Sequence, residues 1–293
     1  MPDEKQDQKK NEALPTDLGR RDFVAASVAA GLAAAAGSAS AKESDIVETD
    51  VQIKTPDGMC DAAFIHPKSG SHPGVIIWPD AFGLRPSMRA MGKRLAEAGY
   101  AVIVPNPFYR LTKPPFSDAS TFDFAKDRDK IAPLMASASA PGNPEKDAVA
   151  FVAFMDTQKV VNKSKKIGVQ GYCMGGPLVV RTAAALPDRI GAGGSFHGGG
   201  LVTEKPDSPH LLASKIKAKM YFGVAANDDM RQPDAKDKLR ESFGSKAEVE
   251  VYTSLHGWCV SDMPKQNGMP IYNQAEAEKA WGKLTALYKA GLA

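Results

Sequence analysis

Gly171-Tyr172-Cys173-Met174-Gly175-Gly176 joins a short apolar run, Lys165 to Gln170, to a segment that reads as a helix, Leu178 to Leu186, stopped by Pro187. A buried strand, a glycine-flanked turn and a helix, in that order, form the setting of a nucleophile elbow. The glycines keep side chains out of a strained turn that lifts one residue above the sheet edge. Here that residue is Cys173, and the start of the following helix turns free N–H groups and a positive dipole end toward its sulfur. With 3 Cys and 26 Gly in 293 residues, a G-x-C-x-G match arises by chance about 0.02 times per such chain.

Working outward, apolar strands and amphipathic helices alternate on both sides of the elbow. Val47 to Ile53 and Ala62 to Ile65 read as antiparallel strands turning at Pro56-Asp57-Gly58. Val75-Ile76-Ile77-Trp78 and Ala101-Val102-Ile103-Val104 are continuous apolar runs, as in central strands buried on both faces. Between them lies a helix with Pro86 in its first turn and Gly99 past its end. Asn106 to Ser120 is rich in proline and aromatics and reads as a loop over a pocket. Helices are expected over Asp123 to Ser137 and from a cap at Asn143-Pro144. Strands at Ile190 to Phe196, Lys219 to Ala225 and Val249 to Tyr252 follow, with helices over Pro233 to Phe243 and near the end, Ala277 to Tyr288. Such alternation implies one mostly parallel sheet wrapped by helices, without internal repeats or a second domain.

The bulk properties narrow the function classes. A hydrophobic content of 43% supports a sizeable core, and a net charge of +3 with scattered Lys and Arg offers no footprint for nucleic acid. No Cys/His spacing suits a metal and no motif calls for a cofactor. Arg20-Arg21-Asp22-Phe23 precedes an alanine-rich apolar run to Ala36, then Ala39-Ser40-Ala41. Twin arginines, a mildly apolar run and an A-x-A site are the marks of a Tat-type leader, residues 1–41. The expectation is therefore export by the Tat translocase, a periplasmic or secreted enzyme, no membrane span after cleavage, and a single domain over residues 42–293. Three cysteines in an exported chain leave at least one thiol free; Cys60 and Cys259 could pair, with Cys173 unpaired.

Polar residues stand where a cysteine nucleophile needs them. The strand at Met220 to Val224 runs into Ala225-Ala226-Asn227-Asp228-Asp229, and the strand before Ser254 runs into Leu255-His256-Gly257-Trp258. Both fall at carboxyl ends of strands, the edge where open α/β sheets form active sites. Nucleophile, acid, histidine is the chain order of α/β-hydrolases, so the fold expected is an α/β-hydrolase. His256 is the expected base; Asp228, in a small-x-x-Asp turn, is favoured over Asp229 as the acid. His66, His72 and His210 lie beside or near prolines in turn-like segments and read as bystanders, while His197, after a strand, is expected at the pocket wall.

From about Val47 to the end, the chain resembles the dienelactone hydrolase family of cysteine α/β-hydrolases. The resemblance rests on the G-x-C-x-G-G elbow, the downstream acid and the His-Gly-aromatic segment. Trp78-Pro79-Asp80-Ala81-Phe82-Gly83 is similar to the family's strand-end segment, whose glutamate holds the thiol and whose next N–H joins the oxyanion hole. The resemblance implies a catalytic Asp80, with Ala81 and Met174 N–H groups as oxyanion donors. Pro105 to Arg110 resembles the segment whose arginine holds a substrate carboxylate, implying that role for Arg110, with Tyr109 beside it and Trp258 in the pocket. The chain departs from the pattern twice: Asp80 is one methylene shorter than glutamate, and Val260 stands where a second arginine belongs. The activity implied is cofactor-independent hydrolysis of small lactones or esters through an acyl-thioester. A general carboxylesterase or thioesterase, or a non-catalytic scaffold that binds a ligand or senses oxidants, are the alternatives.

Overall fold

The computed structural model describes residues 45–115, 118–266 and 268–292; the expected leader, residues 1–41, lies outside them. Ile46–Thr55 (β1) and Gly58–Pro67 (β2) pair antiparallel from Ile46 opposite Pro67 to Thr55 opposite Gly58. The other strands are Gly74–Trp78 (β3), Ala101–Pro105 (β4), Ile167–Tyr172 (β5), Ile190–Phe196 (β6), Lys219–Val224 (β7) and Ala247–Val251 (β8). They form one sheet in the order β1-β2-β4-β3-β5-β6-β7-β8. β1, β2 and β4 pair antiparallel, and every later neighbour pairs parallel. This is the mostly parallel sheet of an α/β-hydrolase.

Alternation along each strand divides the core into two layers. On one face Ile76, Trp78, Ile103 and Val169 pack against Phe151 and Met155 of Asn143–Thr157 (α3) and against Leu178 and Val179 of Gly175–Ala185 (α4). On the other, Val75, Ile77, Val102 and Val104 meet Met88 and Leu95 of Pro86–Glu97 (α1) and Leu284 and Tyr288 of Gln274–Gly291 (α7). Each fully buried side chain of this kind contributes roughly 1.5–3 kcal/mol relative to exposure. Phe124–Ser139 (α2), Ala226–Arg231 (α5) and Ala235–Phe243 (α6) complete the helices. Among the described residues, no helix is long and apolar enough to cross a membrane.

Three expectations need correction. Asn143 does not cap α3: its side chain donates to Ser137 O at 2.9 Å, and Gly142, at φ 85, is the cap residue. Ala225 to Asp229, read as the turn that carries the acid, instead opens the short helix α5, which carries no apolar stripe to announce it. Cys60 and Cys259 do not pair, because Cys60 lies in the α3/α4 layer and Cys259 packs against the α1/α7 layer; all three cysteines are free.

Candidate active site

The strand order reverses between β3 and β5, which lie parallel and side by side with Trp78 opposite Gly171. A crevice forms at such a switch point beyond the carboxyl ends of the strands. The elbow sits there. A Cβ on Gly171 would stand 2.2 Å from Gly175 O, and one on Gly175 would stand 2.3 Å from Trp78 O. Only glycine lets the turn fold back on itself and settle on the end of β3. Cys173 takes a left-handed φ of 51, a strained conformation for a residue with a Cβ. Its side chain is half-buried, beside Met135 and the Phe108–Met174 cluster. Among the described residues, the Ala81 and Met174 N–H groups have no hydrogen-bond partner, which leaves two donors beside the elbow.

Asp228 and His256 come from the ends of β7 and β8. Asp228 lies in the first turn of α5, where its Oδ2 stands 2.6 Å from His256 Nδ1. Asn227 Oδ1 accepts the His256 N–H at 2.8 Å and pins the loop. Asp229 turns away to Lys236, at 2.7 Å. The structure thus brings Asp228, not Asp229, to the histidine. Burial alone would push the His256 pKa down, but hydrogen bonds to Asp228 and to Cys173, with their charges, lift it to about 10. An imidazole so held keeps its proton well above neutral pH.

Other expected site residues stand elsewhere. His197 and Trp258 are fully buried and are not among the residues lining the cavity at His256; His197 lies with its ring edge-on to both His256, at 4.8 Å between centroids, and Trp258. Asp80 is 1% exposed and holds Arg85 through both oxygens, at 2.6 and 2.9 Å, while Oδ1 also accepts the Phe82 N–H. Arg85 in turn holds both oxygens of Asp262 at 2.8 Å. Asp80 is therefore tied to a permanent cation, and its recorded partners do not include Cys173. Arg110 is equally engaged: its guanidinium bonds Asp147 at 2.7 and 2.9 Å and Asp57 at 2.8 and 3.0 Å. Tyr109 donates to the same Asp147. Neither residue lines the cavity described next, so the carboxylate-holding role implied for Arg110 is not the one its surroundings give it.

A cavity of about 1120 Å³ opens at His256. Phe122, Ile131, Met135 and Met263 supply apolar wall, and Arg128, Arg231 and Lys265 supply positive charge. Arg128 and Lys265 have no carboxylate partner among the described residues. Sequence reasoning missed these three cations and the Arg85–Asp262 link. Nothing in their spacing marks them, since they come from four separate segments. Asn227 was within reach, as the neighbour of the acid.

Comparison with known proteins agrees with the fold. The chain is 29% identical over 246 residues to a carboxymethylenebutenolidase of Rhodococcus opacus, covering 81% of this chain and 89% of that one. It is 27% identical over 233 residues to a putative carboxymethylenebutenolidase of Synechocystis sp., covering 76% and 88%. A putative dienelactone hydrolase from Klebsiella pneumoniae superposes with a TM-score of 0.66 at 20% identity, over 83% of this chain and 98% of that one, a likeness of fold. Residues 60–292 match the model of the dienelactone hydrolase family. A match of that length, on a sheet of this topology, makes the chain a member of the dienelactone hydrolase family of hydrolytic enzymes.

Proposed function

We propose that the chain hydrolyses lactones and small carboxylic esters with Cys173 as nucleophile, His256 as base and then acid, and Asp228 as the anchor of His256. The observation that carries this is the 2.6 Å bond from Asp228 to His256, with Cys173 on the glycine-walled elbow close enough to raise the pKa of the same imidazole. His256 holds the thiol proton as an imidazolium between Cys173 and Asp228, and the thiolate attacks the ester carbon. The resulting oxyanion lies within the reach of two free N–H groups, those of Ala81 and Met174. Collapse breaks the C–O bond; the departing alkoxide takes the proton from His256 and leaves an acyl-thioester. A water then gives its proton to His256 and attacks the thioester, releasing the acid and restoring the thiol. With a lactone the alkoxide stays tethered, so the product is one hydroxy acid.

Arg128 and Lys265, rather than Arg110, are the cations placed to receive a substrate carboxylate, and the names of the relatives favour a lactone over a simple ester. The test is turnover of a panel of lactones and chromogenic esters, with Cys173→Ala as control. Turnover that survives the substitution would refute the thiol mechanism. No turnover by the wild type would return the binding or oxidant-sensing scaffold to first place. Export by the Tat route belongs to the same proposal. Replacing Arg20-Arg21 by lysines should hold the precursor in the cytoplasm, and a new N-terminus near Lys42 should vanish with it.

A further inference from the structure

Among the described residues, Cys173 and His197 are the two non-glycine residues with left-handed backbone, at φ 51 and 40. They are also neighbours. Tyr172 and Phe196 are the last paired residues of β5 and β6, so each left-handed residue is the first beyond its strand. The Cys173 N–H is shared between Phe196 O and His197 Nδ1, each at 3.1 Å. The His197 N–H is itself fixed to Gly223 O at 2.8 Å, so β7 anchors the residue that receives the nucleophile's amide.

The His197 ring is fully buried and stands between the two reacting groups. One side faces the nucleophile turn; another stands edge-on to His256 at 63°. Tyr172 and Trp258 also pack against it, at 6.0 and 5.2 Å between centroids. A ring that accepts through Nδ1 carries its proton on Nε2 and is neutral. Burial, and then the charge on His256, hold His197 well below the usual histidine range, in keeping with that tautomer. A protonated His197 would lose the bond to Cys173 and repel the imidazolium of His256.

We propose that His197 is a nucleophile-positioning residue: its neutral imidazole receives the Cys173 N–H and braces the His256 ring, fixing the thiol–imidazole pair at one separation. The proposal rests on the thiol reading above. It has a further consequence. With the amide of Cys173 engaged, the oxyanion must find its donors at Ala81 and Met174.

The test compares three variants of the full chain. His197→Asn keeps an acceptor near the Nδ1 position and tolerates left-handed backbone. His197→Gln is polar and similar in size but carries its acceptor one bond farther out. His197→Leu fills the space without an acceptor. Small displacements of a reacting group cost up to about a hundredfold in rate. The Leu and Gln variants should lose about ten- to a hundredfold in kcat and in the rate of Cys173 alkylation, with KM within about twofold. Asn should recover most of the loss. Leu or Gln within twofold of wild type would overturn the proposal, as would equal losses in Asn and Gln at unchanged melting temperature. Should Leu not fold, the Asn–Gln pair decides. Cys173→Ala, run alongside, separates the two readings: if it stays active the thiol mechanism fails, and if it is dead while the His197 variants are unaffected, only the positioning role fails.

Discussion

Two carboxylates stand at carboxyl ends of strands in this molecule, and their partners give them opposite characters. Asp80, after β3, is sealed from water and held by Arg85, which also binds Asp262. Asp228, after β7, meets His256, whose side chain is 25% exposed and faces the cavity. Arginine never gives up its proton, so the Asp80 knot can only hold: it ties the loop that carries Ala81 to the loop that follows His256. Histidine can give up its proton, so the Asp228 pair can do chemistry. A buried carboxylate at a sheet edge is a candidate acid only once its partner is known to titrate.

The largest effect should fall at the group the titrating pair serves. Cys173→Ala should lower ester or lactone turnover by at least about a thousandfold, since no neighbouring group replaces the sulfur. Its thermal melt should stay within a few degrees of wild type. Kinetics and a melting curve check both.

Asp228→Asn and Asp80→Asn then divide the two carboxylates directly. The first should cost about 100- to 1000-fold in kcat/KM, by letting the imidazole take the wrong tautomer, with little change in melting temperature. The second should cost stability: breaking a buried ion pair loses about 3–5 kcal/mol, or roughly 6–20 °C in a domain of this size. Activity per folded molecule should fall by less than about tenfold. If Asp80→Asn were as inactive as Cys173→Ala and fully stable, Asp80 would belong to the chemistry and the contrast would collapse.

Cations sharpen the same contrast at smaller amplitude. Arg110→Ala should lower stability by about 1–3 kcal/mol by leaving buried Asp147 without its cation, with the Tyr109 hydroxyl as its remaining side-chain donor. It should change the rates on charged and neutral substrates by the same factor. Arg128→Ala with Lys265→Ala should lower kcat/KM about three- to tenfold on carboxylate-bearing lactones and leave neutral esters unchanged. Paired kinetics on substrates of similar size distinguish the two patterns.

The smallest effect is a pH dependence of stability. The folded pKa of His256, about 10, lies above its ordinary 6.5. Its stabilisation is fully present below pH 6.5 and is lost as pH rises through about 10. Wild type and His256→Gln should therefore differ most in melting temperature near pH 6, and least above pH 10. A difference that grew between these values would mean that His256 is not held by Asp228.

Much of this protein was legible in the chain. Continuous apolar runs such as Val75 to Trp78 can only be strands buried on both faces, and the parallel sheet follows from their alternation with helices. The glycines at 171 and 175 marked the elbow because close backbone approach excludes every other residue there. The order cysteine, acid, histidine placed three groups at one edge, and the adjacent acids differed enough in local pattern to favour Asp228.

What only the tertiary structure decided is which charges meet. Arg85 reaches Asp262 across 177 positions and Asp80 across five, and Arg110 reaches Asp57 across 53 positions and Asp147 across 37. An ionic contact has no period and leaves no local mark, so an arginine beside a pocket-like loop reads the same whether it waits for a substrate or is already neutralised. Hydrophobic periodicity, by contrast, is written locally, because each helix or strand must turn its own apolar side inward. Sequence therefore determined the sheet and the glycine-walled elbow, and three-dimensional proximity alone assigned the partners of Asp80, Arg110 and His197.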